Sequence, residues 1–306
     1  MELRQLRYFV NIVETMSFTL ASKQLFISQS TLSQQIIQLE DELVVKLFHR
    51  NGTHISLTEE GRYFYSYAKD CIQKTKDAVT ILEELKQNNT GEIRIGVTYA
   101  FRKVIANALI AFYQQYPNIK IIVHFGSSNE MLEKLSRDLV DILITFDLSL
   151  DQNQFEKQVL FETPICLIIP KEHKLSKKKS ICLKDLATQK LIVQSKNFHT
   201  WDLVHYSFRQ QNIVPQIIME VNDNPTLLDL IKSNIGFGIM AQTAIESENT
   251  LVAIPIEGIE MKRKVSAIRL KNIYLSEKLQ YLCNVIQQNF TETNPSIQKT
   301  SPNNAK

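Results

Sequence analysis

Residues 17–50 constrain the fold more than any other part of the chain. They have the pattern of two helices, 18–25 and 29–43, joined by the turn Phe26-Ile27-Ser28. Apolar residues of the second helix recur every three or four positions and therefore share one face, namely Leu32, Ile36, Leu39 and Leu43. The opposite face begins with the amides and hydroxyls of Gln29, Ser30, Ser33 and Gln34. Such groups donate and accept hydrogen bonds at once, as base edges in a major groove require, so the stretch predicts a DNA-binding helix-turn-helix.

An ordinary helical hairpin with a solvated outer face would share much of this pattern, because helix pairs with such turns are common. The order of residues favours DNA binding, since it closely resembles the LysR-type transcriptional regulator family. The residues that carry the resemblance are Leu6-Arg7-Tyr8-Phe9, Ser17-Phe18, Ala21, Leu25, Ser28-Gln29-Ser30, Leu32-Ser33, Ile36, Leu39-Glu40, Leu43, Leu47-Phe48-His49-Arg50 and Leu57-Thr58-Glu59-Glu60-Gly61. The chain departs at Gln34, where the family often has Arg, and at Val44, where Gly usually ends the second helix. Because valine rarely adopts a positive φ, we expect that helix end to be closed differently.

The segment after the second helix predicts a short hairpin, because Asn51-Gly52 is a turn signal between Leu47 and Leu57. The resemblance implies a winged helix-turn-helix domain over 1–58, with the helix-turn-helix itself at 18–37. The candidate DNA-binding residues are Ser28, Gln29, Ser30, Thr31, Ser33 and Gln34 on the helix, and Arg50 and Thr53 on the wing. Residues 1–62 carry six basic and seven acidic side chains. Phosphate contacts must therefore come from local placement rather than from a bulk positive charge.

A long helix is predicted from Glu59 to about Asn88, with Thr58 as its N-cap. An apolar stripe runs along it, formed by Phe64, Tyr67, Ala68, Cys71, Ile72, Ala78, Ile81, Leu82 and Leu85. A helix between two domains has little core of its own to cover such a stripe, so we expect a partner helix to cover it. The resemblance implies that this linker helix, 59–90, is a dimer interface in a homodimer or homotetramer. Residues 88–91 would form a polar hinge after it.

The remaining chain alternates between short apolar runs and amphipathic segments, which predicts an α/β fold with a largely parallel sheet. This order is similar to the two-lobed effector-binding domain of the same family, which is like a periplasmic binding protein and would span 91–290. Lobe one would comprise 91–163 and 267–290, and lobe two 164–266. The chain would cross between them near Thr163 and return near Ser266. The polar tail 291–306 is expected to be disordered.

We expect the cleft between the lobes to bind a small polar or anionic effector, because strand-to-helix junctions present hydroxyls and free N–H groups there. The candidate effector-binding residues are Thr98, Tyr99, Ala100, Phe101, Ser127, Ser128 and Asn129 from lobe one, and Gln194, Ser195, His199, Asn222 and Asp223 from lobe two. Ordinary N-capping is the alternative for each of these polar residues, and Ser128 and Asn224 are suited to that role. The single tryptophan, Trp201, is expected to belong to the core.

Cysteine spacing and motif content argue against several other classes of protein. The four cysteines, Cys71, Cys166, Cys182 and Cys283, lack CxxC pairing, which disfavours a zinc site and a disulfide framework. We find no nucleophile motif and no phosphate-binding glycine loop, so we expect no catalysis, no cofactor and no metal. A thiol-based redox-responsive regulator of the same architecture stays open, because Cys182 lies among lysines that could lower its pKa. Cys166 lies in an apolar run and is expected to be inert.

The sequence also predicts the cellular compartment of the protein and its partners. No apolar run approaches the about 20 residues that cross a bilayer, and the N-terminus lacks the apolar core of a signal peptide. We therefore expect a cytoplasmic protein without a membrane partner, rather than a secreted ligand carrier. The expected partners are double-stranded promoter or operator DNA, a small-molecule effector, further copies of the same chain and RNA polymerase.

Overall fold

The computed structural model describes residues 1–51, 54–86, 90–196, 198–245, 248–257 and 262–293. The chain divides into two compact units. The first consists of Met1–Asn88 with Asn272–Ser276, and the second of Asn89–Lys271 with Glu277–Lys306. Each unit is described by itself.

The first unit contains three short helices, a hairpin and one long helix. These are α1 (Leu3–Thr15), α2 (Phe18–Gln24), α3 (Gln29–Leu43), β1 (Phe48–Asn51), β2 (His54–Leu57) and α4 (Glu59–Leu85). Their apolar faces meet in one core around Phe9, whose ring lies 5.3 Å from the rings of both Phe48 and Phe64. The predicted stripe of α3 lies in this core, with Leu32, Ile36 and Leu39 fully buried. The predicted helix-turn-helix with a hairpin wing is therefore confirmed as a fold.

Local side-chain caps explain why the helices begin where the sequence predicts. The hydroxyls of Ser17, Ser28 and Thr58 each occupy the N-cap and accept a hydrogen bond from a backbone N–H in the first turn that follows. Each bond satisfies one of the N–H groups that a helix start leaves without a partner. Helix α4 ends at Leu85, three residues before the predicted end, and residues 88 and 89 of the predicted hinge lie outside the described residues.

The end of α3 contradicts our expectation about Val44. Val44 does adopt the left-handed conformation, with φ 57° and ψ 28°. Its N–H donates to the carbonyl of Asp41 at 3.3 Å, and the N–H of Val45 donates to that of Glu40 at 3.2 Å. This is the hydrogen-bond pattern of a Schellman motif, which usually has glycine at this position. Since the Val44 side chain is exposed, the two hydrogen bonds hold the conformation without a steric conflict with neighbouring elements.

The second unit is built from ten strands and six α-helices among the described residues. The strands are β3 (Gly91–Thr98), β4 (Ile119–Gly126), β5 (Ile142–Phe146), β6 (Phe155–Pro170), β7 (Ile181–Cys182), β8 (Lys190–Gln194), β9 (Gln216–Val221), β10 (Phe237–Ala241), β11 (Leu251–Glu257) and β12 (Lys262–Leu270). The helices are α5 (Arg102–Gln115), α6 (Ser128–Ser136), α7 (Leu183–Leu186), α8 (His199–Gln210), α9 (Asn224–Lys232) and α10 (Glu277–Thr293). The sequence predicted neither β7 nor α7.

The strands follow the order β4-β3-β5-β12-β6-β10-β8-β9, with β11 beside β6 and β7 beside β11. Strands β3, β4 and β5 pair in parallel, as do β8, β9 and β10. Each parallel group carries its crossover helices and corresponds to one predicted lobe. Strand β12 joins the groups in antiparallel fashion by pairing with β5 and β6, and β6 in turn pairs antiparallel with β10. The sheet is therefore parallel among β3, β4 and β5 and among β8, β9 and β10, whereas every pair that includes β6 or β12 is antiparallel.

Strand β6 is the element that the two lobes share. Its residues up to Pro164 pair with β12, whereas those from Ile165 onward pair with β10 and β11. The first crossing between the lobes thus falls next to Thr163. The return differs from the prediction, because β12 already pairs with the lobe-one half of β6 at Lys262 rather than near Ser266. The strand has a register shift between Val265 and Ser266.

The C-terminal helix extends further than the sequence predicted. Helix α10 extends to Thr293, so residues 291–293 of the tail that we predicted to be disordered are helical. Residues 294–306 lie outside the described residues. Over the described part of the chain, every helix falls short of the length or apolar character needed to cross a membrane.

Candidate nucleic-acid interface and ligand cleft

The N-terminal half of α3 presents a polar surface to solvent. Five of the predicted DNA-binding residues are exposed, namely Ser28, Gln29, Ser30, Thr31 and Gln34, and Ser33 is half-buried. The buried residues of α3 face the core from the other side, so the helix is fixed with this surface outward. The exposed hydroxyls and amides therefore lie where a partner can reach them.

Hydrogen bonds organise the start of this surface. The Ser28 hydroxyl accepts from the Thr31 N–H at 3.0 Å and lies 2.8 Å from the hydroxyls of Ser30 and Thr31. The hydroxyl of Thr19, on α2, donates to Oε1 of Gln29 at 2.9 Å. This bond engages the amide oxygen of Gln29 and thereby orients its side chain. The NH₂ group is the part of the amide that would contact DNA. Thr19 was not among the predicted residues, because the contact joins two helices and periodicity carries no signal for it.

The wing is a two-stranded antiparallel hairpin, as predicted. Phe48 pairs with Leu57 and Asn51 with His54. The backbone of Arg50 lies in β1 opposite Ile55. Thr53 lies outside the described residues. The roles of Arg50 and Thr53 in DNA contact stay predictions.

In lobe one, the polar residues predicted at the strand-to-helix junctions make different hydrogen bonds. Thr98 ends β3 and is 5% exposed, with its hydroxyl 3.5 Å from the carbonyl of Ile144. Ser127, rather than Ser128, is the N-cap of α6, where it forms a capping box with Glu130. The Ser128 hydroxyl instead lies 2.9 Å from that of Thr145, and both residues are buried. The alternative in which Ser128 caps this helix is therefore wrong.

In lobe two, the alternative in which Asn224 caps a helix is also wrong. The N-cap of α9 is Asp223, whose carboxylate accepts from the Thr226 N–H at 2.9 Å and hydroxyl at 2.7 Å. The Asn224 side chain accepts a hydrogen bond from the Gln194 amide at 2.7 Å, and both residues are buried. Gln194 thus ties the end of β8 to the start of α9. Ser195 is half-buried, Asn222 and Asn129 are exposed, and helix α8 begins at His199.

Aromatic side chains bridge the two lobes at these junctions. The ring of Tyr99, after β3, lies 6.0 Å from that of Phe198, just before α8, and 6.4 Å from that of Phe125. Phe101 differs from its neighbour: it is fully buried against Phe146 and Phe161. Its side chain is therefore part of the core and does not line the cleft. Ala100 is likewise buried.

Trp201, which we expected to belong to the core, packs against it but is only half-buried. Its indole N–H donates to Glu220 at 3.3 Å, and its ring stacks on that of His205 at 3.7 Å. The residue packs against the core on one side. It therefore combines a core contact with a polar contact to β9.

Arg263, a cation beside the crossing of the lobes, was not among the predicted residues. It stands opposite Thr163 in the β12–β6 pairing, and its guanidinium carbon is 5.8 Å from the centroid of the Phe146 ring. Burial lowers the pKa of this guanidinium, and the charge of Asp147 opposes that effect. Thr163 is fully buried, and its hydroxyl has no hydrogen-bond partner among the described residues. A half-buried cation in this place is suited to an anionic ligand group.

The described cysteines offer little support for redox chemistry. Burial raises the pKa of the Cys166 thiol to about 12 and that of the Cys283 thiol to about 11. A reactive cysteine needs the opposite shift. Cys71 is exposed on α4, and Cys182 is half-buried before α7. Among the described residues, no cluster of His, Cys, Asp and Glu could hold a metal ion.

Two family models match the chain over most of its length. The model described as the bacterial regulatory helix-turn-helix protein, lysR family, matches residues 3–62, and the LysR substrate binding domain matches residues 86–291. The chain is 32% identical over 251 residues to the HTH-type transcriptional regulator BsdA of Bacillus subtilis, and the aligned region covers 80% of this chain and 85% of BsdA. It is 27% identical over 276 residues to the transcriptional dual regulator GltC of the same organism, covering 89% and 92%. A full-length OxyR variant from Pseudomonas aeruginosa has a similar fold, with a TM-score of 0.73, 19% identity and 99% of each chain covered.

Proposed function

The chain belongs to the LysR family of transcriptional regulators, and from this premise we propose that it binds operator DNA through the exposed face of α3. It is a DNA-binding transcriptional regulator with an effector-binding domain. The observation that carries the proposal is the polar surface of Gln29, Ser30 and Gln34, held outward by a fully buried apolar face. Amide side chains at the start of such a helix match the adenine edge in the major groove. We assign backbone contacts to the wing around Arg50.

Footprinting tests this proposal with the full chain and the DNA upstream of its own gene. We expect a protected site, and Gln34→Ala should lose about 1–3 kcal/mol of binding free energy at one base position while relaxing specificity there. Thr75→Ala is the matched control, because Thr75 is exposed on α4 and its hydroxyl bonds to the carbonyl of Cys71 in the same helix. Unchanged site selection by Gln34→Ala would show that the recognition face is misassigned.

We further propose that two chains pair through the C-terminal half of α4. Ala68 of the predicted stripe is buried in the chain's own first unit, but Ile81, Leu82 and Leu85 are exposed. A second copy of the same helix would cover them. Two-fold pairing implies a palindromic operator. Exposed apolar side chains on α5, such as Tyr113, support further pairing of effector domains into a tetramer.

For the second unit we propose a small polar or anionic effector between the lobes. The support is geometric: Thr98 and Tyr99 end the first strand of lobe one, Phe198 lies opposite in lobe two, and Arg263 supplies a cation beside the crossing. A ligand that touches both lobes binds the closed arrangement better than the open one and shifts the equilibrium only by that difference. About 1.4 kcal/mol changes the ratio of the two arrangements tenfold. Footprints with and without candidate metabolites test this point.

We propose a regulatory rather than a catalytic role, exercised in the cytoplasm, where the protein has access to DNA and to RNA polymerase. The redox alternative has weak support, because burial raises the pKa of Cys166 and Cys283. A regulator whose footprint changed with oxidation and not with any metabolite would reverse this preference.

A further inference from the structure

A buried carboxylate joins the recognition helix to the wing. Glu40 lies on α3 with 2% of its surface exposed. Its Oε1 accepts hydrogen bonds from the N–H groups of Leu47 at 2.9 Å and Phe48 at 3.3 Å. Its Oε2 lies 3.2 Å from the Lys46 ammonium. A charged acceptor that is buried and bonded to two backbone donors holds them more firmly than a neutral one would.

Residues 46–48, here called the wing root, are also hydrogen-bonded to the start of α4. The Thr58 hydroxyl donates to the carbonyl of Lys46 at 2.6 Å, and the Thr58 N–H donates to that of Leu47 at 3.1 Å. Gly61 allows this approach, because a Cβ atom there would lie 2.2 Å from the Leu47 carbonyl oxygen. The wing root is therefore bonded to α3 by its N–H groups and to α4 by its carbonyls.

We propose that Glu40 is a positioning residue for DNA binding, which fixes the wing relative to the recognition helix. The inference rests on the proposed DNA-binding function. A protein that reads the major groove with α3 and the backbone with the wing must place both surfaces at once. Any freedom between them in the unbound protein has to be given up on binding, which weakens affinity. The bonds from Glu40 remove that freedom before DNA arrives.

The backbone bonds carry this role more than the ion pair does. The Lys46 side chain is 65% exposed, and exposed ion pairs contribute little. The N–H groups of Leu47 and Phe48 are buried and depend on Glu40 as their acceptor. The backbone hydrogen bonds of Glu40, rather than its ion pair with Lys46, are therefore the feature to test.

The experiment compares full-length variants on the footprinted operator. Glu40→Leu removes the acceptors at similar volume, and Glu40→Gln keeps an oxygen for the two N–H groups. Asp41→Asn is the matched control, because Asp41 is exposed and its carboxylate faces the Lys46 ammonium at 3.8 Å, whereas the two backbone N–H groups bond to Glu40. The readouts are amide hydrogen exchange at residues 47 and 48, hydroxyl-radical protection, major-groove protection and the salt dependence of affinity.

We expect Glu40→Leu to accelerate exchange at both amides and to abolish the backbone protection given by the wing while keeping the major-groove protection given by α3. The slope of log affinity against log salt should fall by about one for each phosphate that the wing no longer neutralises. Glu40→Gln should recover most of the amide protection and of the backbone protection given by the wing. Asp41→Asn should match the wild type in both. If Glu40→Leu fails to fold, Glu40→Asp carries the same test, since it withdraws the carboxylate from the root but keeps the charge.

Three results would overturn the inference: equal loss of both kinds of protection, no rescue by Glu40→Gln, or wild-type exchange at both amides in every Glu40 variant. A wild type that binds no operator would instead refute the DNA-binding function, while amide exchange would still report on the wing root. The two failures are therefore distinguishable.

Discussion

Replacing Gly61 with alanine should destabilise the DNA-binding unit, although alanine normally stabilises a helix. Gly61 lies in the first turn of α4, where an added Cβ would meet the Leu47 carbonyl oxygen at 2.2 Å and Leu57 Cδ2 at 3.0 Å. The oxygen belongs to the backbone, so it cannot move aside like a flexible side chain. It also accepts the 3.1 Å hydrogen bond from the Thr58 N–H.

The expected magnitude follows from three contributions. Glycine to alanine in a helix gains about 0.5–1 kcal/mol of stability. Overpacking costs about 1–3 kcal/mol, and moving the wing root away weakens a backbone hydrogen bond worth about 1 kcal/mol. The net loss is therefore about 1–3 kcal/mol in the free energy of unfolding of this unit. Because about 1 kcal/mol shifts the melting temperature of a small domain by about 4–8 °C, the change is measurable.

Scanning calorimetry of the full chain, with hydrogen exchange in α1–α3 to identify the transition, measures this loss. Ser66→Ala is the control, because Ser66 is exposed on the same helix and its hydroxyl bonds to the Tyr63 carbonyl one turn earlier. Its free energy of unfolding should stay within about 0.5 kcal/mol of the wild type. If Gly61→Ala instead stabilises the protein, the close approach of the wing root to α4 is wrong.

Three further predictions concern the assembly, the cleft and the thiols. Light scattering should show that Leu82→Asp/Leu85→Asp dissociates the dimer, and a wild type that is monomeric at micromolar concentration would contradict the pairing through α4. Thr98→Val should keep the melting temperature, because the Thr98 hydroxyl makes only a long 3.5 Å bond, but should abolish the change of footprint with effector; a normal response would place the effector elsewhere. At about pH 8, Ellman's reagent should modify exposed Cys71 quickly, whereas Cys166, whose pKa burial raises to about 12, should react only after unfolding because its thiol stays protonated; rapid labelling of Cys166 in the folded protein would refute its burial.

Local signals account for what the sequence predicted well. The helices of the first unit begin at Ser17, Ser28 and Thr58 because capping depends on neighbouring residues alone. Alternation of apolar runs likewise located the described strands of both lobes except the two-residue strand β7. Val44 was mispredicted because two hydrogen bonds to the preceding turn outweigh the steric preference of valine for other conformations.

Interactions between residues that are distant in the chain account for the features that the sequence did not predict. Either Ser127 or Ser128 could cap α6, and the choice depends on the Thr145 hydroxyl, seventeen positions from Ser128, which engages it. Glu40 and Arg263 look like ordinary surface charges in the sequence. Their burial follows from packing against the wing root and against Phe146, which no periodicity reports.

The continuity of β6 limits how the lobes can move. Because one sixteen-residue strand pairs with β12 in its first part and with β10 in its second, the lobes are joined by a hydrogen-bonded sheet instead of a loose tether. Opening the cleft widely would break pairs on both sides of Thr163. The compliant motion is a twist of the strand about its own axis, which sheets tolerate. An effector bound between the lobes would therefore produce a rotation of small amplitude rather than a wide opening.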